Sequence, residues 1–81
     1  MDTTQAAQRI EALSREIERS PGNRALYMER GRIYHKTGEF HRALNDFLRA
    51  REIGGPDPET DGYIAMLREI FAFRYGEIYN P

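Results

Sequence analysis

The chain is 81 residues long, with 40% hydrophobic and 31% charged residues, and its 12 basic and 13 acidic side chains leave a formal net charge of −1. That length fits one small domain, residues 1–81, with a thin core, and the balance of apolar to charged residues is that of a globular chain. The absence of cysteine excludes disulfides, thiolate catalysis and cysteine-based zinc or iron–sulfur sites, no apolar run nears the ~20 residues of a membrane span, and the interleaved charge offers no basic block to nucleic acid. Eleven of the basic residues are arginine, which pairs bidentately with carboxylates, so a helical surface laced with Glu–Arg pairs is expected. The opening Met1-Asp2-Thr3-Thr4-Gln5 has no positive n-region, so no signal peptide is expected and a cytoplasmic location is the default.

The first predicted helix covers about 3–19. Ala6, Ile10, Leu13 and Ile17 recur at helical spacing on one face. Asp2 or Thr3 can cap it, and Gln5 lies where a capping box with Asp2 needs it. Ser20-Pro21-Gly22-Asn23 ends it, because proline disfavours α geometry in the residue before it.

Asn23 caps a second helix running to about Thr37, with Leu26, Tyr27, Ile33 and Tyr34 as its large apolar residues. Gly31 sits inside it. A mid-helix glycine costs ~1 kcal/mol against alanine, which predicts that another backbone passes close by. Gly38 breaks the chain, and a turn that short predicts an antiparallel helix pair. The third helix, from Glu39 to about Gly54, carries Phe40, Ala43, Leu44, Phe47, Leu48, Ala50 and Ile53 as an apolar stripe, with Asp46, Arg49 and Glu52 expected on the other side.

Gly54-Gly55-Pro56-Asp57-Pro58 breaks the chain a third time. A fourth helix over 59–76, capped by Thr60 or Asp61, precedes a tail at 77–81. It has two apolar stripes. Ile64, Leu67, Phe71 and Tyr75 form one, and Tyr63, Met66, Ile70 and Phe73 form the other. That arc is too wide for a helix lying on one neighbour.

Taken together, Tyr27, Gly31, Tyr34, Gly38, Phe40, Ala43, Phe47 and Ala50 resemble the signature of a tetratricopeptide repeat: aromatic and small residues at fixed steps across a helix pair. Pro56 falls one residue late for the repeat's closing proline, and Arg30 stands where the family usually has an aliphatic residue, which predicts a looser or more exposed contact there. A step of 34 residues likens the first helix to the second half of a worn repeat and the fourth to a degenerate first half. The resemblance implies an all-α fold of TPR-like antiparallel helix hairpins, about four helices in a short right-handed superhelical bundle.

It also implies a protein–protein interaction module or scaffold. In similar repeats the first helix of each pair lines a groove for an extended peptide, and the matching positions are Ala25, Met28, Glu29, Arg32, His35 and Lys36. Arg32, His35 and Lys36 would form a basic rim suited to a carboxylate. Carboxylate-clamping repeats favour Lys and Asn at two places that here hold Met28 and Arg32. The alternative is a homo-oligomer associating through the fourth helix, with Tyr63, Met66, Ile70, Phe73 and Tyr75 as the self-association surface and no groove ligand. The aromatic tail from Phe71 to Pro81 can plug its own core or dock on a second chain, since aromatics and arginine are common interface anchors. No enzyme, cofactor, metal, nucleic-acid or membrane role is expected. His35 and His41 straddle the Gly38 turn without completing a ligand set, and no nucleotide loop or nucleophile motif is present. Asp46, Glu39 and Glu52 lack a desolvated partner in the pattern.

Overall fold

The computed structural model describes the backbone of residues 1–79 and the side chains of residues 1–74. Four α-helices follow one another in these residues: α1 (Thr3–Arg19), α2 (Arg24–Lys36), α3 (Phe40–Gly54) and α4 (Pro58–Tyr79). The candidate residue Tyr75 and the tail at 77–81 lie outside the described side chains.

Local chemistry sets each boundary. At the start of α1 the Gln5 amide donates to Asp2 Oδ1 at 2.7 Å, and the Asp2 amide donates to Gln5 Oε1 at 3.3 Å. This reciprocal capping box satisfies two of the helix's free donors. Asn23 Oδ1 accepts from the Ala25 amide at 3.1 Å and opens α2. That helix stops at Gly38, whose φ of +84° lies in the left-handed region. There the Gly38 amide donates to the His35 carbonyl at 3.3 Å and the Glu39 amide to the Tyr34 carbonyl at 2.9 Å. The pair of bonds is a Schellman closure, which glycine permits without steric penalty.

The start of α4 departs from expectation. Its cap is Asp57, not Thr60 or Asp61. Asp57 Oδ2 accepts from the Thr60 amide at 3.0 Å, and the Asp61 amide donates to the Asp57 carbonyl at 2.8 Å. Pro58 becomes the first helical residue, where its missing N–H costs nothing. The helix also continues past its expected end at 76, to Tyr79.

α2 lies between α1 and α3, and α3 packs in turn on α4. Buried residues therefore occur around much of α2, namely Tyr27, Met28, Gly31, Ile33 and Tyr34, whereas α1 buries one stripe of Ala6, Leu13 and Ile17. The main core joins Ile17, Tyr27, Met28, Tyr34, Ala43, Phe47, Ala50, Ile64 and Leu67. Ala6, Leu13 and Ile33 form a smaller cluster where α1 meets α2.

Gly31 is placed by a side chain rather than by the backbone approach expected of it. A Cβ there would lie 3.0 Å and 3.1 Å from Phe47 Cε1 and Cζ, and 3.2 Å from Asp46 Cβ. The glycine makes room for the ring that fills the α2–α3 crossing. Ala43 and Ala50, both fully buried, keep the same crossing tight from α3.

Arg30 and Asp46 correct the sequence reading most sharply. Arg30 is not an exposed contact, and Asp46 is not on an exposed side. Arg30 Nε donates to Asp46 Oδ2 at 2.8 Å and Nη2 to Oδ1 at 2.7 Å, with the two side chains 20% and 5% exposed. Arg30 Nη1 also donates to Ser14 Oγ at 3.0 Å, so one guanidinium ties α1, α2 and α3. Its carbon lies 5.9 Å from the ring centroids of both Tyr27 and Tyr34. The bond to Asp46 raises the Arg30 pKa above its ordinary value, keeping the charge that the bidentate geometry uses.

Candidate functional site

The two surfaces singled out in the sequence have different characters. On α2, Met28 is not on an open groove: it is 3% exposed, with its sulfur 3.3 Å from the Thr60 hydroxyl of α4. Thr60 is itself fully buried, and its Oγ1 accepts from Arg24 Nη2 at 2.6 Å and donates to Asp57 Oδ2 at 2.9 Å. Arg24 also pairs with Asp57 at 2.9 Å. This knot clamps the start of α4 across α2 and covers part of the expected groove. The Thr60 amide and hydroxyl, with Arg24, hold the Asp57 carboxyl below its ordinary pKa.

Two charges of the expected face, Glu29 and Arg32, are paired with neighbouring helices. Glu29 accepts two bonds from Arg9, at 2.7 Å and 3.0 Å, and the Arg9 bond lowers its pKa. Arg32 Nη1 lies 3.2 Å from Glu59 Oε1. His35 is half-buried, its ring 5.8 Å from Phe40 and 5.7 Å edge-on from Tyr63. Ala25 and Lys36 are exposed. Glu29 and Arg32 are thus tied to α1 and α4, and Lys36 is left as the exposed charge of the face.

The α4 face is apolar and open. Its two stripes divide the work as their spacing suggests. Ile64 and Leu67 are buried against α3 with Phe71 half-buried beside them, while in the second stripe Tyr63 and Ile70 pack on the edge of the core and Met66 and Phe73 turn outward. Tyr63, at the start of that second stripe, stacks on Phe47 with centroids 4.4 Å apart and planes 8° from parallel. Beyond it, Met66 is 37% exposed, Ile70 is half-buried and Phe73 is 73% exposed. Phe40, Met66, Glu69, Ile70, Phe73 and Arg74 line a hollow of about 450 Å³. The Arg74 guanidinium sits 5.9 Å over the Phe40 ring at its edge.

The sequence reading placed Tyr63, Met66, Ile70 and Phe73 on one surface, and the structure brings the last three together around the hollow. Arg74 falls in the segment from Phe71 to Pro81 expected to plug the core or dock on a second chain, whereas Phe40 and Glu69 have no place on that surface in the sequence reading. Phe40 is expected in the apolar stripe of the third helix and in the repeat signature. The charged pair carried a usable signal, since Glu69 and Arg74 flank the stripe on either side. The signature residues Tyr27, Gly31, Tyr34, Ala43, Phe47 and Ala50 are buried, Phe40 is half-buried, and Gly38 makes the turn.

Among the described residues no three His, Asp or Glu side chains gather as a metal set would, and no helix is long and apolar enough to cross a membrane. No protein-family model matches the chain, and comparisons with curated proteins and with solved structures return no match.

Proposed function

We propose that the chain is a non-enzymatic protein-interaction module of the tetratricopeptide-repeat type. In this reading α1 is a half repeat, α2 and α3 are one full repeat, and α4 closes a short right-handed superhelix. Support for the repeat comes from the way Tyr27, Gly31, Phe47 and the two alanines share one crossing. The partner is a protein or peptide, and it docks on the outward face of α4.

The observation that carries the docking site is the exposed apolar strip of Met66 and Phe73 around the hollow. In so small a domain an exposed phenylalanine beside a mainly apolar hollow is surface that a partner would remove from water. Complete burial of one such side chain is worth about 1.5–3 kcal/mol. The α2 face offers no comparable gain, because Glu29 is already paired with Arg9 of α1, Arg32 with Glu59 of α4, and Met28 is buried.

A photo-activatable residue placed at Met66, and separately at Lys36, tests this in cells that make the protein. A discrete adduct of any mass from position 66, and none from position 36, is expected. An adduct from position 36 alone would move the function to α2, and no adduct from either would remove the interaction reading.

A further inference from the structure

Once α4 has been assigned the docking face, what remains is the occupant. We infer that it is a second copy of this chain, held through α4 in a two-fold symmetric parallel helix pair. This rests on the reading of the α4 face as an interaction surface, and it adds the partner and its orientation.

Tyr63, Met66, Ile70 and Phe73 follow steps of three, four and three, the alternation of a and d positions along a two-stranded coiled-coil seam. Ile64 and Leu67 are buried in the helix's own core contact, Tyr63 and Ile70 pack on the edge of that core and stay half-exposed, and Met66 and Phe73 face outward. Tyr63 is held by Phe47 and His35 and closes the seam at its N-terminal end.

In that register Glu69 takes a g position and Arg74 the e position five residues on. A parallel pair sets g of one helix beside the following e of the other. Glu69 of each copy then meets Arg74 of the second copy, twice across the two-fold axis. An antiparallel pair sets g beside g and e beside e, so Glu69 meets Glu69 and Arg74 meets Arg74. Like charges oppose that arrangement. Among the described residues neither side chain forms an ion pair, and Arg74 already lies at the rim of the hollow, over Phe40.

A two-fold interface uses one patch against itself, so the patch must carry both a projection and a recess. Phe73 projects, 73% exposed, and the 450 Å³ hollow lies beside it. The seam from Tyr63 to Phe73 is only about 15 Å long at 1.5 Å per residue. The interface therefore falls at the small end of specific contacts, and the association is weak and reversible.

Light scattering behind size exclusion, on the full chain at two concentrations tenfold apart, reads this directly. The mass is expected to rise from near 9.5 kDa toward twice that value. Glu69→Arg and Arg74→Glu should each hold the chain at the monomer mass with unchanged helicity, and the two together should restore the rise. Orientation follows from a cysteine, since the chain has none of its own. Met66→Cys should cross-link to itself on oxidation.

A mass fixed at 9.5 kDa at both concentrations overturns the second copy as occupant. If position 66 nevertheless cross-links in cells to a different protein, the α4 docking site stands and only the occupant changes. Single charge variants that still associate overturn the charge argument. Cross-linking only between Met66→Cys and Phe73→Cys chains overturns the parallel orientation.

Discussion

Replacing Gly31 by alanine sets two effects of opposite sign against each other. Alanine is the better helix former by ~1 kcal/mol, so at an open position it would stabilise α2. Here the new methyl would lie 3.0–3.2 Å from the Phe47 ring and Asp46 Cβ, inside ordinary van der Waals separation. Relief requires one of them to yield by a few tenths of an ångström. Phe47 is fully buried and stacked on Tyr63 at 4.4 Å, and Asp46 is held by two bonds to Arg30. Overpacking of a closed core costs about 1–3 kcal/mol, which exceeds the propensity gain. Gly31→Ala should therefore destabilise by about 1 kcal/mol, a melting point about 4–8 °C lower for a domain of this size. Thermal melts followed by far-UV circular dichroism measure it. A second variant isolates the cause: in a Phe47→Leu background the ring is gone, and Gly31→Ala should become neutral or stabilising. An increase in melting temperature from Gly31→Ala in the wild-type chain would refute the reasoning.

Asp46→Ala leaves the Arg30 guanidinium half-buried without its carboxylate. Breaking a buried pair costs ~3–5 kcal/mol, and residual exposure of Arg30 brings the expected loss to about 2–3 kcal/mol in chemical denaturation. Arg30→Met with Asp46→Leu should recover most of it, and an Asp46→Ala variant as stable as the wild type would deny the pair its structural role. Acid should also weaken the fold through Glu29 and Asp57, whose folded pKa values are lowered by Arg9 and by the Thr60 N–H and hydroxyl. A lowered carboxyl contributes stability that is present above its unfolded pKa of about 4 and is lost as pH falls through the folded value. Melting temperatures should thus hold steady down to roughly pH 5 and fall below about pH 4, and Glu29→Gln with Asp57→Asn should flatten that fall. An identical acid profile in the double variant would contradict the assignment.

The helices were legible because breakers separate them. Pro21, Gly38 and the Gly54–Pro58 run interrupt apolar periodicity, and three of the four starts carry a side-chain cap. The cap of α4 was misread because Asp57 is followed at once by Pro58, which reads as the end of a breaker and serves as the first residue of the helix. The Arg30–Asp46 pair was not legible. Its members lie 16 residues apart on different helices, and helical spacing carries no information about which charges face each other across a hairpin. The same limit hid the burial of Met28, which depends on Thr60 arriving from the first turn of α4, 32 residues on. The outward stripe of α4 was readable from its period, but its rim was not, since Phe40 comes from α3.

The chain contains three methionines, and their methyl groups give the most direct test of where it binds. Met28 is 3% exposed in the core, Met66 is 37% exposed on the proposed interface, and Met1 is 74% exposed near the start of α1. Methyl NMR spectra recorded over a tenfold rise in protein concentration should show the Met66 resonance shifting and broadening while Met28 and Met1 stay in place. A Met66 resonance that does not move, or one that moves only together with Met28 and Met1, would contradict self-association through α4.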